Sequence, residues 1–148
     1  MRPEGDILLD GLAELANDAW EAYGQAAAWA EPEDLATLLA TLGRRRREMA
    51  LELEALIAAD GRRPRDRDTN AGVAHRILAR LKATFVADRA RTVVDECERA
   101  DAAFAHRLAV ADDRSLTDAA ATLLRGFHAE VVAALGQLAV AKVRIRGR

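Results

Sequence analysis

The sequence predicts an all-α fold, a single four-helix bundle with an additional short helix in the crossover between its second and third long helices. Three observations carry that prediction. The chain of 148 residues is 51% hydrophobic and 31% charged, which suits one domain with a real core over 1–148 and excludes a disordered segment. Only 4% of it is aromatic, and three prolines with nine glycines supply too few turns for a many-stranded β fold. Most telling, apolar residues recur at alternating steps of four and three along four long stretches, the repeat of a helix face.

The first stretch, residues 6–30, sets Leu8, Leu12, Leu15, Ala19, Ala22, Ala26 and Trp29 on one seam with no proline inside it. Pro32 ends it and suits the first turn of the second helix. That helix, 33–59, carries Leu35, Leu39, Leu42, Arg46, Met49, Leu53 and Leu56 at the same spacing. Asp60-Gly61 stops it, because glycine tolerates the left-handed backbone of a helix C-terminus. Residues 62–70 are polar and broken by Pro64, the composition of a solvated loop. A crossover helix then fits 71–86, with Val73, Ile77, Leu81 and Phe85 along one side. The third long helix, 88–112, has Val93, Cys97, Ala100, Phe104 and Leu108 as its stripe. Asp112-Asp113-Arg114-Ser115 makes the next break, with Ser115 or Asp113 as the expected cap. The fourth, 115–146, places Leu116, Ala120, Leu123, Phe127, Val131, Ala134, Leu138, Ala141 and Ile145 on its seam. Helices of this length, about 37 Å at 1.5 Å per residue, can cover one another's stripes.

Several function classes fall away on composition. The net charge of −2 speaks against a strongly basic nucleic-acid binder. A single cysteine, Cys97, excludes an intramolecular disulfide and any multi-cysteine metal site. The opening residues carry no long apolar run ahead of a small-residue cleavage site, and no stretch reads as a run of roughly 18 apolar residues, so a cytoplasmic protein without a membrane partner is expected.

Four motifs in order give the chain a relative. Asp18-Ala19-Trp20-Glu21-Ala22-Tyr23-Gly24-Gln25-Ala26-Ala27 resembles an Asp-Gly-x-x-Gly-Tyr-x-x-Ala-Ala pattern. Arg46-Arg47-Glu48-Met49-Ala50-Leu51-Glu52-Leu53 is similar to a pattern of arginine, large apolar residue and Glu-Leu. Ala71-Gly72-Val73-Ala74-His75-Arg76, then Leu81-Lys82, resembles Gly-x-x-His-Arg and Leu-Lys, and Glu96-Cys97-Glu98-Arg99 is the most recognisable piece. Together they resemble a bacterial family of ferritin-like four-helix bundles catalogued only as a domain of unknown function. Two positions depart from it: Ala100-Asp101-Ala102 stands where Gly-Glu-Asp is common, and Leu135 where a histidine is common. The resemblance implies a ferritin-like bundle and says far less about function.

Ferritin-like di-iron sites take a glutamate from each of two helices and a Glu-x-x-His pair from each of the other two. None of the three histidines completes that pair, since Gly72 precedes His75, Ala103 precedes His106 and Arg125 precedes His128. The acids Glu14, Glu21, Glu48, Glu52, Glu98 and Glu130 read as solvated helix faces, with an atypical carboxylate metal site as the alternative. No catalytic, metal or cofactor residue is therefore assigned.

Arg46 is the exception to a bland reading. It sits on the seam of its helix at the midpoint of 33–59, and the midpoints of the other helices fall near Asp18, Asp101 and Glu130. A buried guanidinium needs a carboxylate, so the expectation is an interior polar layer of Arg46 with Asp101 first and Asp18 second, and Glu130 and His128 at its edge. The competing expectation is that Arg46 lays its stem along the surface and reaches water. Arg44-Arg45-Arg46-Arg47 does not make a nucleic-acid patch, because four consecutive helical residues fan through about 300° and no aromatics interleave to stack bases. Cys97 reads as a small buried hydrophobe, and the sole serine, Ser115, has no catalytic set around it. The function expected is that of a non-enzymatic bundle acting through self-association, as a homodimer, or through another protein. Trp20, one position off the main stripe, is a candidate interface anchor.

Overall fold

The computed structural model describes residues 4–59, 61 and 89–146. Among them the chain forms four long helices and no strand: α1 (Glu4–Trp29), α2 (Glu33–Ala59), α3 (Arg89–Ala109) and α4 (Asp118–Arg146). A single 3₁₀ turn, Asp113–Ser115, precedes α4. The helix expected over 71–86 and the loop at 62–70 lie outside the described residues, and so does His75.

The junctions follow from local chemistry. The carbonyl of Pro32 accepts from the N–H groups of Leu35 and Ala36, so α2 opens one residue after the proline. Glu33 and Asp34 then place negative charge at its positive end. At the other end Gly61 adopts φ +76° and its N–H meets the Ala58 carbonyl at 2.9 Å, the left-handed stop that a side chain resists. The expected cap of α4 is corrected. Thr117, and not Ser115, caps the helix, its Oγ1 accepting from the Ala120 N–H at 3.1 Å, while the Asp113 side chain lies outside the described residues. The reason is that Asp113–Ser115 are already taken up in the 3₁₀ turn, which Asp112 closes by accepting from the Arg114 N–H at 3.1 Å.

Two core clusters set the direction of each helix. One joins Leu9–Ala16 of α1, Met49–Ile57 of α2, Phe104–Leu108 of α3 and Leu124–Val131 of α4. The other joins Ala22–Ala26, Leu35–Leu39, Val93–Cys97 and Leu138. The start of α1 thus lies beside the end of α2, the end of α3 and the start of α4. Helices α2 and α3 run parallel, so Ala59 and Arg89 stand at opposite ends of the bundle. Around the bundle α1 packs closely on α2 and also on α3, α3 packs on α4, and α2 touches α4 only lightly. This leaves α2 and α3 facing one another across a diagonal.

The α1–α2 contact is close because both faces are small where they meet. Ala16, Ala19, Ala22 and Ala26 are buried along α1, and α2 offers Gly43. A Cβ built on Gly43 would lie 2.7 Å from the Cβ of Tyr23, so only glycine permits this approach. Helix α4 differs in character. It is long and apolar enough, by length and composition, to cross a membrane between Asp118 and Ile145, which the sequence reading did not expect.

Candidate functional site

Midway between the two apolar clusters lies a charged side chain. Arg46 is 1% exposed and Asp101 is 0% exposed, which makes them the two ends of a buried ion pair. The geometry is bidentate: Arg46 Nε donates to Asp101 Oδ1 at 2.8 Å and Nη2 donates to Oδ2 at 3.0 Å. Arg46 comes from α2 and Asp101 from α3, so the bond spans the diagonal where the two backbones do not pack. A long side chain is needed there, and arginine has the reach.

A third helix joins them. Tyr23 of α1 donates its phenol O–H to Asp101 Oδ2, and its ring lies beneath the guanidinium with 5.8 Å from Cζ to the ring centroid. Met49 completes the surroundings, its Sδ 3.7 Å from Arg46 Nη1. The Asp101 carboxylate therefore receives three donors from two helices. With its lone pairs directed at Arg46 and Tyr23, it is closed to other ligands.

The charges in this layer reinforce one another. Burial alone would lower the Arg46 ionisation, but the hydrogen bonds and charge of Asp101 outweigh it and hold the guanidinium above its usual value. Burial pushes the Tyr23 phenol far above its ordinary range, and the Asp101 charge and hydrogen bond add to that shift. The Cys97 thiol is raised well above its usual value by burial and then by Asp101. It is buried and free, so it does not supply a thiolate nucleophile.

Tyr23 is the sole tyrosine of the chain, which makes its titration readable. Its folded-state ionisation lies above the unfolded value near pH 10. The stability it contributes is thus fully present below about pH 10 and is lost progressively as pH rises towards the folded value. Tyrosinate absorbance should appear only together with loss of helical circular dichroism. Tyr23→Phe should lower neutral-pH stability by about 1.5–3 kcal/mol, the range for a hydrogen bond to a charged group. Free titration of the phenol near pH 10 in the folded protein would contradict this geometry.

The hydrogen bonds of Arg46 reach none of the other residues of the expected layer. Asp18 is half-buried on α1, and Arg46 directs its carboxylate bonds to Asp101 instead. Glu130 is exposed and holds Arg45, whose Nε donates to Glu130 Oε2 at 2.9 Å. His128 is half-buried on α4. The arginine run fans as its pitch requires. Arg44 is exposed, and Arg45 meets Glu130, Glu48 and Glu52 and covers the Phe127 ring at 5.6 Å. Arg46 turns inward. Arg47 donates to Asn17 Oδ1 at 2.7 Å and stacks on Trp20 at 4.6 Å, so that tryptophan is half-covered by its own chain.

Among the buried polar residues the sequence did not single out are Tyr23, Asn17, Asp6 and Asp10. Tyr23 lies four residues beyond Ala19 and three before Ala26, on the face that becomes the interior once the helical repeat of 3.6 has drifted off the Leu8–Leu12–Leu15 line. Asn17 is fully buried on the same helix, donating to the Ala13 carbonyl at 3.0 Å and to Glu54 Oε1 at 3.4 Å. Its signal was a polar residue following Ala13 at a four-residue step.

Among the described residues, no three His, Cys, Asp or Glu side chains gather closely enough to hold a metal ion. The middle layer also does not suit one, because a fixed guanidinium repels a divalent cation and already engages the Asp101 carboxylate. No curated protein and no solved structure matches the chain. The sequence pattern of a domain of unknown function, DUF2383, matches residues 8–111, which takes in α1, α2 and α3 with all three members of the buried set. On that match the chain belongs to the DUF2383 family.

Proposed function

We propose that this protein is a non-enzymatic, ferritin-like helical bundle of the cytoplasm that acts through self-association, as a homodimer, or through contact with another protein. The ferritin-like reading is supported by the parallel course of α2 and α3, which demands one long crossover, the connection that distinguishes such bundles from simple up-down ones. One observation carries the functional reading: the Arg46–Asp101–Tyr23 set closes the middle of the bundle with charge satisfied internally. An enzyme of the ferritin-like kind keeps open carboxylates in that layer. Here the residues do not fit a metal, and no step of redox chemistry is derived.

The test is aerobic oxidation of ferrous iron, followed by absorbance. Protein added at stoichiometric excess should leave the rate equal to that in buffer. A fast protein-dependent phase would overturn the reading in favour of a metal-binding, oxidative-stress role. Nucleic acid is not a partner in this account, because the arginines diverge around α2 and a small number of phosphate contacts is suppressed by physiological salt.

A further inference from the structure

No further inference is drawn: the strongest candidate, the apolar groove of about 550 Å³ between the first half of α2 and the last half of α4 together with the exposed α4 face beside it, carries none because nothing in the structure shows what covers it.

Discussion

Arg46→Ala should destabilise the protein by about 3–5 kcal/mol, because it leaves the Asp101 carboxylate buried without its counter-charge. Urea denaturation followed by circular dichroism measures the loss. Most of the penalty belongs to the stranded charge and little to the net worth of the pair. Removing both charges together should therefore restore stability: Arg46→Met with Asp101→Leu is expected to recover most of the loss. The Tyr23 phenol sets the residual cost, since Asp101→Leu removes its acceptor. Changing Tyr23 to Phe in the same background should close that gap. A double variant no better than the sum of its single changes would contradict the pair geometry.

Gly43→Val should cost about 3 kcal/mol, at the upper end of the usual range for overpacking. The atom in the way is the Cβ of Tyr23, which is fixed to its backbone and cannot swing aside. The opposing effect is small. Alanine gains about 1 kcal/mol over glycine in a helix interior, so even Gly43→Ala should be a net loss. Gly24 is the control: nothing lies within 4 Å of a Cβ built there, and Gly24→Ala should gain up to about 1 kcal/mol. The two alanine variants thus move stability in opposite directions. The Gly43 variants should also bring the Tyr23 titration down towards pH 10, because separating α1 from α2 loosens the phenol from Asp101. Equal behaviour of the two alanine variants would place the α1–α2 contact elsewhere.

Much of this architecture is legible in the spacing of apolar residues, and the exceptions have physical causes. Helix α2 begins at Glu33 and ends at Ala59, the bounds that Pro32 and Gly61 impose. The seams are less faithful than the ends. Leu42 and Leu56 lie on the four-three pattern yet are only partly buried, while Gly43 and Ile57, one position on, are fully inside. A straight helix repeats at 3.6 and drifts away from a 3.5 pattern, so a long seam written at fixed steps loses its register. The same drift hides Asp101, which is interior while the neighbouring stripe residue Ala100 is only half-buried.

What single-helix patterns do not carry is the pairing across helices. Nothing in the α1 sequence says that Tyr23 reaches the same carboxylate as Arg46, since that depends on Gly43 letting α1 close upon α2. Placing Glu130 by its midpoint brings it to the right level but the wrong side. It faces outward, where Arg45 reaches it. Level along the axis is readable from length; the face turned at that level depends on which helices are neighbours.

The central claim is that the Arg46 guanidinium, paired with Asp101, fills the middle layer of the bundle in place of a metal ion. Elemental analysis by plasma mass spectrometry tests it most directly, on untagged protein purified from cells grown with added iron and manganese. The account predicts far less than one metal ion per chain, with no change in thermal stability when a chelator is added. Stoichiometric iron or manganese that a chelator removes with loss of stability would contradict it.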